Sequence, residues 1–488
     1  MAIKKTDVKT DAKSTKFIPL VERPLFNLLD EPWIKVSAVT STGKANVKSL
    51  NLCEVFEKAH QIRGLAGELA GQDLAILRLL LSILHIIYTR TPEYSKARST
   101  GETEEAQAIW ESLYKAGQFD AERIIAYLKQ YQDRFYLVHP ERPFYQIAGL
   151  LSDVPEARNT YGIRKLIGDL SESNNKSPLF SYRNGMQELA FDEAARWLLY
   201  LNAFDDCSNK PVYVKGVSAG LGWLGSIGNV YLEGTSLFDT LMLNFVLYNV
   251  DQSNPFWEDA EAPWELAVPR SAERVELAHA PKGQIELLTL QSRRIWLFPT
   301  DTGITGFTEI SGDFIPDGDV MVEQMTLLSC VKETATTAAY FQPKRHSSAT
   351  QFWRGFASLI TKSNKSLTPG VLRWLAELQY NWIVDPRDVT VCAVRVDYKD
   401  MNGAVGDVWS DSFSINTGLF VKSDCALEWL DRIAADLSII EKMVDSLGKF
   451  ALDVAMAGGF HPNKNNPKPT LAKKEPSKDK AYAILDTY

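Results

Sequence analysis

The sequence predicts an α+β protein: a large mixed region of helices and strands, followed by a helical C-terminal part. Three observations carry this. Helical apolar spacing and strand-like alternation are interleaved over the first 415 residues rather than segregated. The composition, 45% apolar and 23% charged, is that of an ordinary folded chain. The pattern from Asp424 to Ala457 is a single long helix, with Leu427, Leu430, Ile433, Leu437, Ile440, Met443 and Leu447 at helical spacing and Gly458-Gly459 as its stop.

In chain order, residues 1–17 carry five lysines and almost no apolar side chains, which predicts a disordered basic tail. Trp33-Ile34-Lys35-Val36 alternates as a strand. Ser49-Leu50-Asn51 caps a short helix running to His60, and a longer one spans about Glu68 to Tyr88. That second helix contains the most apolar stretch, Leu74–Tyr88. Arg78 and His85 interrupt it and it is too short to span a bilayer, so it reads as a buried core helix and not a membrane anchor. Amphipathic helices follow near 102–115 and 120–132, then a strand at Phe135-Tyr136-Leu137-Val138.

Residues 151–186 change character: Gly, Ser, Asn and Lys dominate, and Arg158 to Arg183 holds five basic residues against two acidic. This predicts a locally positive exposed loop, the kind of segment that carries function. A helix at 192–204, a glycine-dense stretch through Gly228, a helix near 237–248, strands at 284–299 and 388–398, a helix near 351–361 and a strand or loop at 406–416 complete the reading. At 1.5 Å per residue the last helix would be about 50 Å long, and one of its faces needs partner helices. Residues 461–480 are rich in Pro and Lys and read as flexible.

The formal charge of −8 excludes a generic polycation, so any nucleic-acid contact must come from local patches. The five cysteines are scattered, with no Cys-x-x-Cys, and read as reduced thiols of a cytoplasmic protein. The six histidines never fall at metal-ligand spacing, and His85 reads as a core residue. Trp33, Trp197, Trp353, Trp374 and Trp429 sit inside apolar patterns, where packing is the ordinary role. Gly220-Leu221-Gly222-Trp223-Leu224-Gly225 satisfies the dinucleotide pattern G-x-G-x-x-G, with Val212-Tyr213-Val214 as a possible preceding strand and Asp239 near the offset of a ribose carboxylate. A nucleotide-cofactor enzyme built on Gly220–Gly225 is therefore the alternative reading. It requires a helix to open at the third glycine, and the continuation Ser226-Ile227-Gly228-Asn229-Val230 does not favour one.

Four segments carry a resemblance. Phe26-Asn27-Leu28-Leu29-Asp30-Glu31-Pro32-Trp33-Ile34-Lys35-Val36, Phe135 to Gln146, Leu290-Gln291-Ser292-Arg293-Arg294-Ile295 and Trp353-Arg354-Gly355 occur in order and at the spacing of one family. The chain resembles the large subunit (Cse1/CasA family) of the type I-E CRISPR Cascade surveillance complex. That resemblance implies a mixed α/β N-terminal domain over 18–415 and a C-terminal helical bundle, incomplete in this chain, over 416–488. It implies no cofactor and no chemistry. The implied partners are the other Cascade subunits, a CRISPR guide RNA, double-stranded target DNA and a helicase-nuclease effector.

By the same resemblance, Lys215-Gly216-Val217 falls at a glycine loop that reads the motif flanking the target. Asn402 and Gly403 fall in a second minor-groove loop. Lys176, Phe180, Tyr182 and Arg183 fall in a loop that touches guide and target. Near 305–318, where the family carries a motif-contacting lysine, this chain has Glu309, Ser311 and Asp313. The minor groove is chemically degenerate, so such loops should tolerate several related motifs.

Overall fold

The computed structural model of the chain describes residues 22–39, 45–150, 159–168, 186–207, 220–249, 255–267, 281–315, 320–333, 338–346, 351–356, 359, 366–399, 404–420 and 424–457. Its centre is the helix Ala70–Thr89, which is apolar on nearly every side and buried along almost its whole length. It is long and apolar enough to cross a membrane by composition alone, yet 89% of that window lies inside the protein. Helices Phe191–Phe204, Leu237–Asn244 and Gln284–Leu288 pack around it.

The polar residues of this helix are accommodated by pairing or neutrality. Arg78 meets Glu323 through two hydrogen bonds of 3.0 and 3.1 Å, and Glu323 also accepts from the Trp223 indole at 2.7 Å. His85 stands edge-on to Phe245 with ring centres 4.6 Å apart, and burial pushes its pKa down to about 3. The ring is therefore neutral, as befits a core histidine.

Strands are short and, among the described residues, every pairing between them is antiparallel. Ile34–Val39 lies between Ala45–Leu50 and Gly64–Leu65. Asn51 then caps Leu52–Lys58 reciprocally with Glu54, at 2.8 and 3.2 Å, a capping box that satisfies two backbone donors the helix itself cannot. Gly303–Ser311 is the centre of another sheet, joined by Arg293–Pro299, Thr160–Gly162 and Leu189–Ala190. Asp388–Lys399 pairs along its full length with Ala404–Asn416, and with Asn229–Glu233 on its other edge.

The structure departs from the sequence reading at 284–299. This is not one strand but the helix Gln284–Leu288 followed by the strand Arg293–Pro299. Gln284 to Leu288 is buried on all sides, polar Gln284 and Glu286 included, so its apolar residues Ile285, Leu287 and Leu288 give too short a period to tell helix from strand. Among the elements not foreseen are helices Pro92–Thr100 and Gly370–Tyr380 and strands Ala45–Leu50, Asn229–Glu233, Gly303–Ser311, Leu328–Val331 and Tyr340–Pro343. Part of the supposed basic loop is ordered too, since Thr160–Gly162 is a strand and Ile163–Leu166 a helical turn.

The final helix is Asp424–Ala457. Ala426 is buried, and Leu430, Ile433 and Leu437 pack against the main core. Arg354 anchors the helix through Glu441 at 2.9 Å. Beyond Leu437 an adjoining stripe of Ile439, Ile440, Met443, Leu447 and Phe450 is exposed among the described residues.

Candidate nucleic-acid interface

The residues singled out from the sequence, Lys176, Phe180, Tyr182 and Arg183, Lys215, Gly216 and Val217, and Asn402 and Gly403, lie outside the described residues. The structure does describe where each of their segments leaves and rejoins the fold. Both ends of 208–219, the hairpin end at 400–403 and the departure of 169–185 lie against the last turns of the helix Phe191–Phe204.

The segment 208–219 departs just after this helix and returns at Gly220, and Arg293 holds both ends. Its Nε donates to Asp205 Oδ2 at 2.5 Å, while Nη2 donates to the Asp206 carbonyl at 2.7 Å and to the Gly220 carbonyl at 2.8 Å. Gly222 N closes the base further by donating to the Asp205 carbonyl at 2.9 Å. Gly220 adopts φ +63°, a left-handed conformation that favours glycine. Beyond it, Trp223 is pinned by its backbone N–H on Ser292 Oγ and by its indole on Glu323.

The segment 400–403 joins Lys399 to Ala404, which are paired with each other at the end of the long hairpin. One residue before, Tyr398 donates its hydroxyl to the Phe204 carbonyl at 2.6 Å. That carbonyl ends a helix and has no partner within it, so the tyrosine serves as a side-chain cap. Burial is the main reason the phenol is held well above its usual pKa; Asp205 and Tyr200 reinforce this and Arg293 opposes it. It is thus a neutral donor.

The third segment, 169–185, departs at Gly168, where a Cβ would overlap the Tyr200 ring. Tyr200 in turn stacks on Phe204. Just upstream, Lys165 lies 3.9 Å from Asp205, 3.7 Å from Asp206 and 3.5 Å from Glu309. Burial works against its charge, but the surrounding carboxylates outweigh that and keep it protonated. Arg294 pairs with Asp313 at 2.5 Å beside this cluster. Glu309 and Asp313, which stand where the resemblance implies a lysine, are buried carboxyl groups paired with Lys165 and Arg294. A lysine is nevertheless nearby, Lys165, contributed by a different element and lying beside Arg293 and Arg294.

The glycine pattern Gly220–Gly225 has a packing explanation. A Cβ on Gly222 would stand 2.5 Å from the Ala203 oxygen and 2.8 Å from Phe204 N, and one on Gly225 would overlap the Tyr398 hydroxyl. Gly225 lies inside a four-residue helical turn, Trp223–Ser226. The nucleotide-cofactor alternative is corrected on this ground: the turn is too short, and Gly222 and Gly225 admit protein rather than a pyrophosphate.

The sequence reading missed Tyr398, Asp205, Lys165 and the role of Arg293. Only Arg293 had a signal, within Leu290–Ile295. It also missed the exposed neighbours Lys344 and Arg345, the latter donating from Nε to the Ser226 carbonyl at 3.0 Å.

The family model described as CRISPR-associated protein Cse1 matches residues 27–487. The chain belongs to the Cse1 family. A curated relative, CRISPR-associated protein CasA/Cse1 of Thermus thermophilus, is 30% identical over 236 residues, 48% of this chain and 42% of the relative. The match thus spans less than half the length of that relative. Among solved structures, Thermobifida fusca Cse1 superposes with a TM-score of 0.76 at 27% identity, covering 95% of this chain and 85% of that one. A chain of a CRISPR RNA-guided surveillance complex gives 0.67 at 18% identity, over 94% and 89%, and so shares the Cse1 fold.

Proposed function

We propose that this Cse1 chain is the non-catalytic large subunit of a type I-E Cascade complex in the cytoplasm. It inspects double-stranded target DNA for a protospacer-adjacent motif, with Lys215-Gly216-Val217 on one segment and Asn402-Gly403 on another. Lys176, Phe180, Tyr182 and Arg183 contact the guide RNA and target. The chain then assists duplex opening and recruits the helicase-nuclease.

The observation that favours this reading is the shared root. Two segments that both probe one short stretch of duplex must start close together, and the ends of 208–219 and 400–403 meet through Phe204 and Tyr398. Thin, glycine-bearing segments suit a minor groove only about 6 Å wide. Guide pairing reads most of the sequence, so the protein needs only to bind, discriminate a short motif and change partners.

The test is co-purification with the other Cascade subunits and guide RNA, followed by target-duplex binding with and without the flanking motif. Stable assembly and weaker binding without the flank are expected. Assembly with flank-indifferent binding would refute motif reading. Gly216→Asp should weaken binding to the flanked target by placing bulk and negative charge at the groove.

A further inference from the structure

We infer that Arg134, Arg142 and Gln291 form a nucleic-acid contact of their own, a cleft that holds one phosphate group of a strand. None of these residues lies on the segments assigned above, so the site stands apart from that reading. The three side chains line one cleft together with Phe144 and Trp264, which leaves about 450 Å³ of space continuous with solvent.

The two cations are fixed by bonds that use only part of each guanidinium. Arg134 Nη1 donates to the Leu266 carbonyl at 3.2 Å, and Arg142 Nη2 donates to the next carbonyl, Ala267, at 2.6 Å. Consecutive carbonyls thus hold two like charges close together. His139 Nδ1 accepts from the Arg142 backbone N–H at 2.9 Å and steadies that residue. The carboxylate on Arg134 Nε is the exposed Asp133, whereas Arg142 makes no ion pair among the described residues. Glu265, one residue before Leu266, is already engaged by Arg90 and Tyr127.

Gln291 supplies the independent observation. It is only 5% exposed, and both of its backbone groups are used inside the fold. Its N–H donates to Asp313 at 3.3 Å, and its carbonyl accepts from Asp313 N and Arg294 Nη1, each at 2.8 Å. The side-chain amide lines the cleft and makes no hydrogen bond among the described residues. Buried amides are ordinarily satisfied, so this one is set up for a group that comes from outside. Two planar forks and an amide serve three oxygens, which a phosphate offers and a carboxylate does not. Phe144 and Trp264 add an apolar wall, which suits the sugar beside a strand's phosphate and gives nothing to free phosphate.

The experiment titrates the full chain with a short fluorescent oligothymidylate at several salt concentrations, and records each variant's melting temperature. Arg142→Gln should weaken binding about tenfold, the worth of a charge-assisted hydrogen bond. It should also flatten the fall of log affinity with log salt by about 0.7, the share of one phosphate on a single strand. Arg142→Lys should restore the slope but not the full affinity, because it keeps the charge and loses the fork. Gln291→Met should weaken binding about fivefold at an unchanged slope, since the donor it removes is neutral. Its melting temperature should not fall, because no bond within the protein is lost. Inorganic phosphate should displace the strand at concentrations where acetate does not.

Wild-type affinity in both Arg142→Gln and Gln291→Met overturns the inference and leaves the amide to water. A melting temperature that falls in step with binding in Gln291→Met also overturns it, since the residue is then structural. Displacement by acetate as readily as by phosphate overturns it too, and assigns the cleft to a carboxylate of a partner protein. The flank preference of the assembled complex is a separate measurement, so failure here and failure of the proposed function are distinguishable.

Discussion

The Arg293 guanidinium reaches the Gly220 carbonyl at 2.8 Å while its Nε holds Asp205 at 2.5 Å, so one buried cation ties together the two ends of a segment it does not belong to. A guanidinium suits this place because its planar fork serves three acceptors in fixed directions, which an ammonium cannot do.

Arg293→Leu should therefore destabilise the chain strongly, by about 3–5 kcal/mol, because Asp205 would be left as a buried charge without its closest partner. Arg293→Lys should recover only part of that. Urea denaturation midpoints report both. A loss below about 1 kcal/mol for Arg293→Leu would show that the cluster tolerates an unpaired carboxylate.

Gly222→Ala should cost about 1–3 kcal/mol, since its methyl would meet the backbone of Ala203 and Phe204, which has no rotamer to yield. Gly162→Ala is the control. Nothing lies within 4 Å of the position its Cβ would take, and φ is −74°, so the denaturation midpoint should stay near the wild-type value.

Trp382 is 81% exposed yet held at φ +58°. A large side chain gains little there and strains the backbone. Trp382→Gly should raise stability by up to about 1 kcal/mol, read as a higher melting temperature. A lower one would mean that the indole makes contacts worth more than the strain.

Acid sensitivity is set by the balance of three groups whose protonation burial shifts, the buried His85 and the half-buried His346 and Asp73. Burial lowers His85 to about 3 and His346 to about 4, both from 6.5. Below pH 6.5 the unfolded histidines take up protons that the folded ones refuse, so this stability is present above 6.5 and lost as pH falls toward 4. Asp73 acts in the opposite sense, because burial raises it from 3.8 to about 7 and the folded state keeps its proton longer. Two protons against one leave a net slope of about 1.4 kcal/mol per pH unit between pH 4 and 6, with stability rising with pH. His85→Phe should flatten that slope. An unchanged slope would place the acid sensitivity elsewhere.

Much of the fold was legible where period and caps agreed. The helix ending at Ala457 has a long regular pattern and a glycine stop, and Ser49-Leu50-Asn51 marks a helix start at which the structure places Asn51 as the cap. Gly370–Tyr380 was not foreseen, although its Trp374 had been placed in an apolar pattern and is buried. The site was legible only as segments. Nothing local in the sequence says that Tyr398 caps a helix ending at Phe204, or that Lys165 and Glu309 are neighbours, because those contacts bridge 194 and 144 residues respectively. Gly222 and Gly225 showed the converse: a local pattern suggested a ligand, whereas the backbone of Ala203 and the ring of Tyr398 fill the space.

The most direct measurement is site-specific photo-crosslinking of the assembled complex to target DNA, with the photoreactive residue placed at position 217 or at position 402. If two segments with a common root read one motif, crosslinks from both positions will fall on the same two or three flanking base pairs, within about 10 Å along the duplex. Crosslinks from the two positions a full helical turn apart, or none at the flank, would contradict the account.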